Sequence, residues 1–183
     1  MNRIAITGPE STGKSSLARD LALCFQDVYV PEYAREYIVG LNRPYTLEDI
    51  LEIAKGQLRQ ESDLARNARR FLFCDTELIV TKIWSLHKYG HCDPFILEHI
   101  KKHPYDLYLL CDIDLPWEPD AQREHPQLRQ YFFDWYKREL EEYGFPYAVV
   151  SGQSGQRLQS AINALRAHFP ELDAKPPGAP MSL

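Results

Sequence analysis

The run Gly8-Pro9-Glu10-Ser11-Thr12-Gly13-Lys14-Ser15 constrains this chain more than any other feature. It meets the spacing G-x-x-x-x-G-K-[ST] in full. An apolar strand expected over residues 4–7 precedes it, and a helix expected over Lys14–Phe25 follows, with Leu17, Leu21 and Cys24 on one face. Strand, tight glycine turn and helix in that order let successive backbone N–H groups point inward at phosphate oxygens. The helix adds its positive N-terminal end. Gly8, Pro9, Glu10, Ser11, Thr12, Gly13, Lys14, Ser15 and Ser16 are therefore the expected phosphate cradle. Lys14 is expected to reach the β- and γ-phosphates and Ser15 to ligate Mg²⁺.

The rest of the chain alternates in the same way. Strands are expected at 28–30, 71–74, 107–111 and 147–150, and helices at 46–70, 76–89, 94–102, 128–143 and 156–169. Thr46 with Asp49 reads as an N-cap, followed by an apolar stripe of Leu47, Ile50, Leu51, Ala54 and Leu58. Gly90 and Gly144 are natural helix stops. Strands alternating with helices predict an α/β fold of three layers, a five-stranded parallel sheet with helices on both faces, in the manner of P-loop NTPases and nucleoside or nucleotide kinases. Residues 1–169 are expected to form one domain, and the proline-rich tail at 170–183 to be frayed.

Ligands in such folds gather where strands end. Asp75 closes an apolar strand and is expected to hold Mg²⁺ or accept the proton of an attacking hydroxyl. A plainer role, capping the helix that begins near Thr76, is compatible with both. Glu32, in the run P-E-Y-A-R-E with Tyr33 and Arg35, faces the same cleft as a ribose ligand or base. The loop D-L-P-W-E-P-D-A-Q-R-E-H after the fourth strand stands where phosphoryl-transfer enzymes carry a mobile lid. Arg123 is its candidate for neutralising charge on the transferring group, with Arg129 second, and Trp117 is a candidate stacking partner. Gly152 and Gln153, after the last strand, are candidates to lie against an adenine ring.

Composition narrows the partners. Of 183 residues, 44% are hydrophobic and 26% charged, and the formal net charge is -5. A chain without a basic excess is a poor electrostatic match for nucleic acid. No apolar run approaches the length of a membrane span, and the first strand begins at once, so a cytoplasmic protein is expected. Cys24, Cys74, Cys92 and Cys111 have no C-x-x-C spacing and read as small apolar residues. His87 and His91 straddle the helix stop at Gly90, and the histidines suggest no metal cluster.

The segments G-P-E-S-T-G-K-S, P-E-Y-A-R-E, F-C-D-T-E, V-T-K-I-W and C-D-I-D-L-P-W-E-P-D-A-Q-R together resemble the ribosylnicotinamide kinase domain of NadR proteins, a NadR-like AAA ATPase domain. The resemblance runs from the first strand to about residue 165. It implies ATP- and Mg²⁺-dependent phosphorylation of the 5′-hydroxyl of nicotinamide riboside, with Gly8 to Ser15 holding ATP. Glu32, Arg35 and Asp75 would then lie at the nucleoside, and Trp117, Asp120 and Arg123 in the lid. The chain starts at the kinase strand, so neither nucleotidylyltransferase nor DNA-binding activity is expected. Where the family often shows D-T-D, this chain has Asp75-Thr76-Glu77. The competing reading is a nucleotide-dependent regulatory ATPase or switch with no small-molecule acceptor. No N-K-x-D guanine motif supports a GTP switch.

Overall fold

The computed structural model describes residues 1–102 and 105–172. Five strands, β1 (Asn2–Thr7), β2 (Val28–Val30), β3 (Phe71–Asp75), β4 (Leu107–Cys111) and β5 (Tyr147–Val150), form one sheet in the order β2-β3-β1-β4-β5. Every pairing is parallel. The helices are α1 (Lys14–Phe25), α2 (Tyr33–Val39), α3 (Leu47–Ala65), α4 (Leu78–Tyr89), α5 (Pro94–Lys102), α6 (Arg129–Tyr143) and α7 (Gly155–His168).

The strands are apolar throughout because both faces are covered. Ala5, Leu72, Cys74, Tyr108 and Leu110 pack into one core with Ile50 of α3, Ile79 and Ile83 of α4, Ile96 of α5 and Leu140 of α6. Their neighbours Ile4, Ile6, Phe71, Phe73, Leu107 and Leu109 face the opposite core, with Leu17 and Leu21 of α1 and Leu165 of α7. Burying each large side chain contributes roughly 1.5–3 kcal/mol. A one-residue slip would exchange the two sets, so the register is strongly held.

Several boundaries differ from the sequence expectation, each for a local reason. The first strand begins two residues earlier, at Asn2, whose N–H meets the Arg70 carbonyl at 2.8 Å. The helix expected over 46–70 stops at Ala65, because the Asp27 carboxylate takes the N–H groups of Arg69, Arg70 and Phe71 at 2.7–2.9 Å and offers that backbone an alternative to helix. Its Thr46–Asp49 capping box is present. Its buried stripe is turned to take in Ile53 and the polar Gln57 and Glu61, while Leu47, Leu51 and Leu58 are half-buried. Cys24, expected on the inner face of α1, is exposed, whereas the other three cysteines are buried. Residues 33–39, assigned no element from sequence, form α2.

The helix expected from Thr76 begins at Leu78, and its cap is Glu77 rather than Asp75. Thr76 takes a left-handed φ of 67°. For a β-branched residue that is a strained conformation, of the kind found at functional sites. The expected tail boundary also moves. Pro170–Leu172 forms a short 3-10 turn with Leu172 half-buried against the core, and the frayed stretch expected beyond it, 173–183, lies outside the described residues.

Strand order reverses direction at β1, which lies between β3 and β4. That switch point opens a crevice at the carboxyl ends of the strands. It places the loop after β1 between Asp75 at the end of β3 and the long connection from β4 to α6.

Candidate active site

A cavity of about 970 Å³ fills this crevice. Gly8 through Ser16 form one wall, and Glu32, Arg35, Asp75, Asp120 and Arg123 stand around the rest. Gly8 must be glycine: its φ is +129°, and a Cβ there would lie 3.0 Å from the Cys111 carbonyl oxygen and 3.3 Å from its nitrogen. The loop is tied internally by Thr12 Oγ1 and Lys14 Nζ, which donate to the Pro9 carbonyl at 2.8 and 2.7 Å.

Asp75 is 1% exposed, and neither carboxylate oxygen has a hydrogen-bond partner among the described residues. The backbone after it is pinned to β1 by Thr76 N–H donating to the Ile6 carbonyl at 3.0 Å. Burial pushes the Asp75 pKa up, opposed by the Ser15 hydroxyl and the Lys14 ammonium. Glu32 is likewise raised, first by burial, with Lys14 pulling it down and Asp75 pushing it further up. Arg35 pairs with Glu32 at 3.4 Å and with Asp120 at 3.1 Å, bridging α2 to the loop after β4.

That loop lies across the cavity. Arg123 Nη1 donates to Ser11 Oγ at 3.3 Å and to the Glu118 carbonyl. Arg129 instead supports the loop from below, donating to the Leu115 and Ser11 carbonyls at 2.8 and 3.1 Å, and does not line the cavity. Trp117, Tyr33, Gly152 and Gln153 do not line it either. The Tyr33 ring lies over Gly56, where any Cβ would come within 2.0 Å of it. Ser154, Arg157 and Leu158 stand at the cavity edge where Gly152 and Gln153 were expected.

Sequence reasoning missed several lining residues. Arg157 is 4% exposed and donates to the Gly152, Val150 and Asp112 carbonyls and to Asp114, locking together the loops after β4 and β5. Tyr29 borders Asp75, and burial with that carboxylate pushes its pKa up to about 12. Val80, Ile83, Trp84 and His87 project from one face of α4, and Tyr45 and Tyr136 join them. Their helical spacing was the available signal, but an aromatic stripe reads equally as core. Trp84 Nε1 donates to Tyr45 Oη at 2.9 Å with the rings edge to face. His87 meets His125 of the loop at 4.8 Å, and burial followed by that neighbour holds its pKa below the usual value. Among the described residues no helix is long and apolar enough to cross a membrane.

The profile of the AAA domain family matches residues 3–157. The proteins named trifunctional NAD biosynthesis/regulator protein NadR from Salmonella typhimurium and Escherichia coli are each 30% identical over 124 residues, covering 66% of this chain and 30% of theirs. The chain thus spans about 30% of the length of these curated relatives. A NadR protein solved in complex with NAD and AMP-PNP superposes with a TM-score of 0.74 at 24% identity, over 91% of this chain and 49% of that one. Another, in complex with NR, gives 0.77 at 21% identity, over 98% and 53%. Deoxyadenosine kinase from M. mycoides gives 0.62 at 14% identity, over 90% and 99%. With the family profile running from the first strand through the phosphate loop and on to Arg157, this chain belongs to the AAA domain family, as a NadR-like P-loop NTPase with the fold of nucleoside and nucleotide kinases.

Proposed function

We propose that this protein is an ATP-dependent kinase that moves the γ-phosphoryl group onto the 5′-hydroxyl of a nucleoside, with nicotinamide riboside, giving nicotinamide mononucleotide, as the preferred acceptor. The observation that carries the reading is Asp75. A carboxylate 1% exposed with both oxygens unpartnered is costly unless a ligand completes it. It faces the phosphate loop from the next strand, in the cavity that also holds Glu32 and Arg123.

Those residues divide the work of phosphoryl transfer. Lys14 and the loop N–H groups hold the donor phosphates. An Mg²⁺ ion fits beside them, because Ser15 and the orphaned Asp75 oxygens are hard oxygen donors; bound there, it would supply positive charge against the phosphates. Arg123 is placed to neutralise charge on the group in flight. The acceptor proton passes to Asp75 or Glu32, whose burial raises both pKa values and makes each a stronger base than an exposed carboxylate. The Asp75→Asn and Glu32→Gln pH–rate profiles assign the role: the base is the residue whose loss removes the acidic limb.

The acceptor assignment draws on the relatives, one named for NAD biosynthesis and one solved with NR. It draws also on the flat faces of Tyr45, Trp84 and Tyr136, which suit a planar base. A coupled assay of the full chain with ATP, Mg²⁺ and a panel of nucleosides tests it. The expected result is fast transfer to nicotinamide riboside and slow ATP loss without it. ATP hydrolysis indifferent to every nucleoside would overturn the kinase reading and favour a regulatory ATPase.

A further inference from the structure

The loop between β4 and α6 is gripped by two consecutive side chains of the phosphate loop. Glu10 accepts the Glu124 N–H at 3.1 and 3.3 Å on its two oxygens and the His125 N–H at 3.1 Å. Ser11, at a left-handed φ of 57°, accepts the Glu118 N–H at 2.8 Å and the Arg123 guanidinium at 3.3 Å. The backbone on both sides of Arg123 is thereby fastened to residues whose own backbone belongs to the phosphate cradle. The far side of the same loop is fastened to the acceptor half: Asp120 to Arg35 at 3.1 Å, Gln122 Nε2 to the Arg35 carbonyl at 3.2 Å, and Glu124 to Tyr45 Oη at 2.9 Å.

From this arrangement we propose that Glu10 is a latch, a positioning residue whose carboxylate holds the loop closed across the phosphate loop and so fixes where Arg123 sits. The motif leaves this position free, and its side chain is not needed to hold phosphate, since the backbone N–H groups and Lys14 do that. A carboxylate beside a phosphate site would repel the ligand unless its charge were spent elsewhere. Here it is spent on two backbone donors, the arrangement of an anionic helix cap and one of the stronger hydrogen bonds a loop can make. Among the described residues the Arg123 guanidinium hydrogen-bonds only to Ser11 and to the Glu118 carbonyl of its own loop. A loop released at Glu124 and His125 no longer fixes the backbone on the C-terminal side of Arg123, and its guanidinium is left with the 3.3 Å contact to Ser11 and its own loop.

The catalytic consequence rests on the kinase reading, whereas the latch itself does not. Hydrogen exchange on the full chain separates them. In Glu10→Ala, amides of residues 119–126 should exchange about tenfold faster than in the parent, with β1 and α1 unchanged. Glu10→Gln, isosteric and able to accept but uncharged, should fall between, and it keeps the test intact if the alanine variant folds poorly. AMP-PNP should bind both variants within about threefold of the parent, while kcat toward the nucleoside falls about tenfold at unchanged KM for ATP. Loop exchange identical to the parent's overturns the latch. AMP-PNP affinity lost as steeply as kcat overturns it too, making Glu10 a nucleotide ligand. Unchanged kcat with a freed loop overturns the positioning of Arg123. If the parent phosphorylates no acceptor, exchange and AMP-PNP binding still decide the latch.

Discussion

Replacing Glu77 by glutamine should make the protein more stable at neutral and alkaline pH and progressively less so toward acid. Glu77 is 3% exposed, beneath the phosphate loop. It accepts the Thr7 hydroxyl at 2.9 Å and the Ile79 N–H at 2.6 Å. Burial dominates and pushes its pKa from 4.5 to about 7, with the Ile79 N–H and the Thr7 hydroxyl opposing. A carboxyl whose pKa is higher in the folded than in the unfolded chain binds more protons when folded. Its contribution is therefore complete below 4.5 and is lost as pH rises through about 7. Each tenfold change in protonation is worth about 1.4 kcal/mol, so the whole window costs about 3 kcal/mol. That is a large share of a typical stability of about 5–15 kcal/mol. Glu77→Gln keeps an acceptor for the Ile79 N–H and cannot ionise. Urea unfolding of parent and variant from about pH 5 to about pH 8 should show the difference, variant minus parent, climbing by about 2–3 kcal/mol. Taking the difference cancels the other titrating groups. A difference flat with pH would refute the reasoning, because it would mean that burial does not perturb this carboxyl.

Two further predictions concern the cleft. Gly8→Ala sets a Cβ 3.0 Å from the Cys111 carbonyl at a φ of +129°, where only backbone can yield, so it should cost about 2 kcal/mol or more in urea unfolding and weaken AMP-PNP binding at least about tenfold in titration. Asp75→Asn removes an unpartnered buried charge, so it should stabilise the ligand-free protein by about 1 kcal/mol, a rise of about 2–4 °C in thermal melting. The same change should lower phosphoryl transfer by about 10²–10⁴-fold. An asparagine variant that is less stable and fully active would remove Asp75 from the proposed mechanism.

Much of the architecture is written in local pattern. The phosphate loop is legible because strand, glycine turn and helix are contiguous, so geometry and chemistry share one stretch of chain. The apolar runs of β3 and β4 are legible because a strand covered on both faces has no polar position to disguise it. The acids at strand ends follow from topology alone, since parallel strands deliver their carboxyl ends to one edge. What pattern misplaced depended on distant partners. α3 was expected to run on to residue 70 because nothing near 66–70 announces Asp27, which stands just before the neighbouring strand β2 and takes the N–H groups of residues 69–71. Glu77 and Asp75 are two residues apart and chemically alike, and only the left-handed turn at Thr76 makes one the cap and leaves the other facing the loop. Trp117 drew attention as an aromatic in the lid, yet Trp84 of α4 and Tyr45, in the loop before α3, line the cavity.

The sequence by itself determined that a phosphate-binding loop stands at the head of a parallel α/β sheet, because backbone curvature and hydrophobic period are properties of short segments. Only the tertiary structure decided which side chains meet across the cleft. Glu10 to the amides of Glu124 and His125, Arg35 to Asp120, and His87 to His125 join residues from 38 to 115 positions apart. Contacts of that span exist only once the sheet order has set the loops side by side, and no local spacing encodes them.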